Sequence, residues 1–301
     1  MEATTEQLQI KPALRPLLES LIDYAGLFPP AGLDMQSAVE NYAKYKESSH
    51  SWMLGRFIVP IARLSDFGEA WLAIGAPTGW RLSALITKPE SELPAVHHFN
   101  AIRGSKIKID ALELKATTSA EIASIKNRVP AQTLAYVEIP STQDPGALIE
   151  TIQINKLRAK IRTGGVIAEL FPGTAEIARF LHACANSGVA FKATAGLHHP
   201  VRCVKPFTYE PDSPRGVMNG FLNLFVAAAF ARKGSSVETI ERILREERAT
   251  EFHFTGDGVR WRDEGLTTAD IVETRANFAI AFGSCSFEEP IADLQSLGLL
   301  P

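Results

Sequence analysis

The sequence predicts an α/β protein built as a (β/α)8 barrel, read as one domain over residues 1–301. Three observations lead there. Short apolar, β-branched runs alternate with helical patterns at intervals of roughly 25 to 30 residues, which argues for parallel βα units. A chain of 301 residues has room for eight such units, an ordinary size for this barrel. The polar residues able to carry chemistry fall at the ends of several different runs, where barrel enzymes place their sites.

The elements follow in order. Leu21 to Phe28 is apolar and stops at Pro29-Pro30, as a first strand would. Asp34 caps a helical pattern that runs to about Lys46. Arg56 to Ile61 reads as the second strand, and Ser65 to Ile74 as a helix with Ser65 as its cap. Arg81 to Thr87 is a third strand and Glu90 to Arg103 a third helix; Ile107 to Lys115 holds the fourth strand, with a helix over Ser119 to Arg128. Thr133 to Ile139 is the fifth, closed by Pro140, and Asp144 to Gln153 is the next helix, with Pro145 at its permitted first position. The sixth and seventh strands lie in the stretch Leu157 to Arg202, separated by a helix over Thr174 to Ser187. Pro200 to Arg215 reads as a long loop; Gly216 to Lys233 and Val237 to Glu247 read as helices. Glu251 to Phe254 is the candidate eighth strand, but Phe252 to Trp261 reads equally well as a hairpin turning at Asp257-Gly258. The last unit is therefore expected to be irregular, with another segment closing the barrel if the hairpin forms. Thr268 to Ala281 reads as a final amphipathic helix before Gly283-Ser284-Cys285-Ser286 and a short terminal helix.

Composition narrows the function classes. A net charge of −3 gives no reason to expect nucleic acid or an anionic membrane as partner. No apolar run reaches the ~20 residues that span a bilayer. Met1 to Lys11 is polar and acidic, unlike a secretory signal. Three scattered cysteines make neither a disulfide framework nor a CxxC metal site, which fits a reducing cytoplasm. The expected partner is a small anionic molecule, with oligomeric state left open.

The stretch from Leu157 to Arg202 carries the sharpest signal. Side chains of a strand alternate between faces. Lys160, Arg162 and Gly164 then share one face of the sixth strand, and Lys192, Thr194 and Gly196 one face of the seventh. Ile161, Phe191 and Ala193 take the other face, under the helices. Charged residues are rarely buried without partners. Inward cations on neighbouring strands therefore imply an anionic ligand or a carboxylate network. Asp23, Glu113, Lys115 and Glu138 lie at other strand ends. Gly164, Gly165 and Gly196 let backbone N–H groups approach an anion, and Arg162 and Arg202 are placed to clamp it. Asn219 and Asn223, one helical turn apart, either hold substrate or tie down the long loop. His198, His199 and Glu138 are candidate proton carriers. His97 and His98 read as surface residues and Cys285, without a basic neighbour in sequence, as a buried structural thiol.

Lys160-Ile161-Arg162-Thr163-Gly164, followed by Lys192-Ala193-Thr194-Ala195-Gly196, resembles the deoxyribose-phosphate aldolase type of class I aldolase barrel. That family carries a Schiff-base lysine on its sixth strand in a Lys-Thr-Ser-Thr-Gly motif and a second lysine on its seventh. The resemblance covers about 40 residues, and Arg162 stands where the family has a small hydroxyl residue. It implies that Lys160 forms the Schiff base and that Lys192 lowers its pKa. Two other readings stand beside this lyase. One is a metal-dependent hydrolase using Asp23, Glu138, His198 and His199, with Glu169 as a further candidate ligand; the other is a non-catalytic ligand-binding barrel. No cofactor is expected, and a metal ion is left open.

Overall fold

The computed structural model describes residues 10–130 and 133–301. Most of the polar Met1 to Lys11 segment thus lies outside the described residues. Eight parallel strands close a barrel, with helices between them, as the alternation predicts. They are β1 (Ile22–Tyr24), β2 (Leu54–Pro60), β3 (Trp80–Leu85), β4 (Ile107–Lys115), β5 (Leu134–Glu138), β6 (Arg158–Arg162), β7 (Phe191–Thr194) and a closing strand, β13 (Ala279–Ser284).

The eighth strand is therefore not Glu251 to Phe254. That segment forms β10 (Phe252–Phe254), which pairs antiparallel with β11 (Gly258–Trp261), and β11 pairs with β12 (Glu264–Thr267). The hairpin alternative holds, and the barrel closes through a run whose first half, Ala279 to Ala281, was expected to end the helix. The helix Thr268–Asn277 stops before it, and Ala279–Ser284 then pairs with β1 and β7. A mainly apolar run buried on both faces lacks the alternation that marks a strand.

Smaller differences follow from local chemistry. The helix Leu64–Ala73 begins one residue before Ser65, so Ser65 is not its cap. Pro145 precedes the helix Gly146–Ile154 rather than opening it, while Asp144 accepts the N–H of Gly146 at 2.7 Å. The loop Pro200 to Arg215 contains a strand, β8 (Cys203–Pro206), paired antiparallel with β9 (Arg215–Met218). Helix therefore begins only at Phe221 and runs to Arg232. It is buried all round from Phe221 to Ala231, as a helix apolar on every face must be. Asp34 caps Met35–Glu47 as read, accepting the Ser37 N–H at 2.8 Å.

The face assignment of the two central strands follows the alternation. Phe191 packs edge-on to Phe180 of the helix Thr174–Asn186, at 5.5 Å between rings, and to Phe278 at 5.2 Å. Lys160 pairs in register with Lys192, and Arg162 with Thr194, so their side chains share the interior. No described helix is long and apolar enough to cross a membrane.

Candidate active site

Inside the barrel, cations and carboxylates alternate. Lys192 Nζ donates to Asp23 Oδ2 and to Glu113 Oε1, both at 2.6 Å. Lys160 Nζ lies 2.8 Å from Glu113 Oε2 and 2.8 Å from Glu138 Oε2. Glu113 thus stands between the lysines, one oxygen toward each, and Ser83 Oγ donates to its Oε1 at 2.7 Å. The backbone N–H of Arg56 fixes the other oxygen of Asp23 at 2.7 Å. This approach requires glycine beside it, because a Cβ on Gly55 would lie 2.2 Å from Asp23 Oδ1.

The resemblance implies that Lys192 acts on Lys160 by repulsion, whereas the strand alternation also allowed a carboxylate network. The structure has the network, which compensates each charge. Burial opposes the ammonium of Lys192, but the charges and hydrogen bonds of Asp23 and Glu113 outweigh it, and its pKa is raised. Glu113, also fully buried, is held well below the carboxylate range by Lys160 and Lys192. Burial likewise raises Glu138, and Lys160, Arg162 and Lys115 more than offset it, so its pKa is lowered. Lys192 is therefore a charged, structurally engaged group and not a lone cation beside an amine.

The two lysines differ in geometry. Lys192 makes two directed hydrogen bonds, whereas neither Glu113 Oε2 nor Glu138 Oε2 accepts a directed one. The short contacts of Lys160 are ionic but misaligned. Lys160 also lines a cavity of about 460 Å³ at the C-terminal ends of the strands, together with Glu138, Arg162, Lys115, Thr194 and His198. Lys192 and Asp23 lie outside its lining.

The ends of β6 and β7 are held close. A Cβ on Gly164 would meet the Cα of Gly196 at 2.7 Å, and Gly196 itself has φ +73°. Ala195 beside it is also left-handed, at φ 62°. Thr163 Oγ1 stabilises this turn by donating to the Ala195 carbonyl at 2.7 Å. Gly165 joins Gly196 in the cavity wall.

The remaining candidates divide. Arg162 faces the cavity, 3.4 Å from Glu138 Oε1. Arg202 lines a second hollow, with Asn219 and Arg245, and pairs with Glu247. The two arginines expected to clamp one anion thus belong to different cavities. Asn219 donates to the Thr163 carbonyl at 3.3 Å. Asn223 ties down the chain as one of its two readings had it: it donates to Ile243 O and Glu246 O and accepts from the Arg202 N–H. His199 turns from the cavity and bonds Asp293 at 2.6 Å. No group of three or more His, Cys, Asp or Glu side chains among the described residues is arranged to hold a metal. Asp23, Glu138, His198 and His199 therefore do not form the hydrolase centre considered from sequence. His97 and His98 are exposed, as expected.

Cys285 is buried, as expected of a structural thiol, but it has a basic neighbour in space. Its Sγ lies 4.0 Å from His198 Nε2, and both residues line the cavity. His198 Nδ1 meets Glu289 Oε2 at 2.8 Å, and Tyr209 OH bonds the same oxygen at 3.1 Å. The signal for this cluster was position. Had Ala279 to Ser284 been read as a strand, Cys285 would have fallen at its C-terminal end, where barrel sites lie. No family model matches the chain, and no curated protein is found to be similar to it.

Proposed function

We propose that this chain is an enzyme of aldolase-like carbonyl chemistry, a carbon–carbon lyase acting on a small anionic carbonyl compound through Lys160. The barrel is compatible with an enzyme. The observation that carries the reading is the asymmetry of the lysine pair: Lys192 is locked beneath by directed bonds, while Lys160 lines the cavity with misaligned partners. An amine attacks a carbonyl only when neutral. Glu138 Oε2, 2.8 Å from Nζ, is placed to take the proton when substrate expels water, because a desolvated ammonium–carboxylate pair loses the hydration that keeps it charged. The nitrogen then bonds the carbonyl carbon, Glu138 returns the proton to the carbonyl oxygen and next carries a second proton from the nitrogen to the hydroxyl so formed, and that oxygen leaves as water. The resulting iminium accepts the electron pair of the breaking carbon–carbon bond. Lys192, charged beneath Glu113, holds the carboxylate network in place. Arg162 and Lys115, both 3.4 Å from Glu138 Oε1, supply the positive charge at the mouth that suits an anionic substrate.

The test is borohydride trapping with acetaldehyde and pyruvate as probes, read by peptide mass mapping. The expected product is a reduced adduct on Lys160, absent in Lys160→Met. Labelling spread over exposed lysines and unchanged in Lys160→Met would overturn the reading.

A further inference from the structure

The lysine chemistry leaves one cavity-facing nucleophile unused. We propose that Cys285 is a second nucleophile, activated by His198 and Glu289, that captures an aldehyde as a reversible hemithioacetal in the same cavity. Three features point to this. Cys285 follows β13 directly, so its thiol sits at the strand end and borders the cavity. His198 Nε2 faces the sulfur at 4.0 Å, and Glu289 receives the opposite ring nitrogen at 2.8 Å. That order of thiol, imidazole and carboxylate places the Nδ1 proton toward Glu289, leaving Nε2 to serve the sulfur. Tyr209 OH bridges the assembly, 3.8 Å from Sγ and 3.1 Å from Glu289.

The groups around the pair favour a charged imidazole. Burial works against it, but the hydrogen bonds and charges of Cys285 and Glu289 raise His198 to about 9. Glu289 is itself held low: burial opposes this, and His198, His199 and the Tyr209 hydroxyl outweigh it. His199 Nε2 stands 4.0 Å from the other Glu289 oxygen, and burial keeps Tyr209 and Tyr24 protonated.

In the proposed step the thiol proton already rests on His198, as the charged ring implies, and the sulfur bonds the aldehyde carbon. The carbon–oxygen π pair moves to oxygen, and His198 returns the proton there. The thiol has added across the carbonyl, with no oxidant, reductant or co-reactant. Lys160 takes no part, so this function goes beyond the lyase reading and does not depend on it.

The chain supplies its own controls. Cys203 is partly exposed and lies outside the cavity, and Cys184 is fully buried. The experiment is alkylation by iodoacetamide at pH 7, followed by mass mapping of each cysteine. Cys285 should react about ten-fold faster than Cys203, since thiolate character sets the rate. His198→Gln should bring Cys285 to within about two-fold of Cys203. Glu289→Gln, which keeps the side-chain shape, should slow it severalfold. Glyceraldehyde should protect Cys285 but not Cys203, and equally in the wild-type and Lys160→Met proteins. Equal labelling of Cys285 and Cys203 in the wild type, or indifference to both substitutions, would overturn the activated thiol. Protection that disappears in Lys160→Met would overturn capture by sulfur and assign the aldehyde to the amine alone. Borohydride trapping reports only the lysine, so failure of either proposal is read separately.

Discussion

A buried lysine bonded to two buried acidic side chains is costly to disturb. Lys192 sits between Asp23 and Glu113, all three buried. Lys192→Met would leave two carboxylates facing an apolar side chain and should cost about 3–5 kcal/mol, read from the urea midpoint. Lys160→Met leaves Glu113 its bond to Lys192 and Glu138 its contacts with Arg162 and Lys115, so its loss should be smaller. A pH dependence follows from His198. Its folded pKa is raised, to about 9, above the unfolded value near 6.5. The protonated ring therefore contributes stability that is fully present below about pH 6.5 and is lost as pH rises through 9. The expected fall over that window is about 1–3 kcal/mol, and His198→Gln should flatten it. Glu113 gives the opposite slope at the acid end. Its folded pKa is depressed, so its contribution is present above about pH 4.3 and fades as pH drops through the folded value. Urea midpoints measured across pH in wild type and His198→Gln test the alkaline slope: a profile unchanged by the substitution would rule out the ring as its source, and the acid slope of Glu113 should survive it.

At the level of elements, the close approach of β6 and β7 makes Gly196 hard to replace. Gly196→Ala would place a Cβ 2.6 Å from the Gly164 Cα, on a backbone at φ +73°. Backbone cannot yield as a side-chain tip does, so a loss of about 2 kcal/mol is expected, with displacement of the Thr194–Gly196 wall of the cavity. Thermal unfolding and borohydride trapping would measure the two effects. These two strands were the most legible part of the sequence, because lysines two-periodic with glycine and threonine leave only one face for the charge. A carboxylate network for the inward cations was one of the two readings, and Glu113 and Glu138 were its members; the exact pairing, with Asp23 on Lys192, was not legible. The carboxylates come from β1, β4 and β5, and nothing local says which oxygen meets which amine. β13 was hidden for a different reason: Ala279 to Ser284 is short and buried except for the half-buried Ile280, and it follows a helix without a glycine or proline to mark the join. Arg275, on that preceding helix, fastens the join. Its guanidinium donates to the carbonyls of Leu17, Glu19, Ala279 and Ile280, tying the last strand to the start of the chain. Arg275→Met should cost about 2–4 kcal/mol in urea unfolding, because three part-buried carbonyls and that of Glu19 lose their donor.

Across the whole molecule, stability should be uneven in a way that bears on the cavity. Most residues of the barrel strands are buried, and the strands are cross-linked by an ionic network reaching from β1 to β7. The β8–β9 hairpin is a two-stranded sheet with no further strand beside it, and most of its side chains are partly or fully exposed. Two strands alone are marginal in water. What fastens the hairpin is Phe207, buried against Phe171 with ring centres 5.0 Å apart and the backbone of Gly216 beneath its ring. The loop it carries sets Tyr209 over Cys285 and Glu289. Native-state hydrogen exchange should therefore divide the chain. Amides of β4, β6 and β13 should exchange through global unfolding, and those of β8 and β9 through a local opening about 3 kcal/mol less costly. Phe207→Ala should remove the anchor and speed exchange across residues 203–218, leaving the barrel amides unchanged. If the hairpin and barrel amides slow together, and Phe207→Ala accelerates both, the hairpin unfolds only with the core and Tyr209 is a fixed wall of the site. If exchange divides as expected, opening uncovers the Cys285 side of the cavity while the lysine and carboxylate network stays assembled.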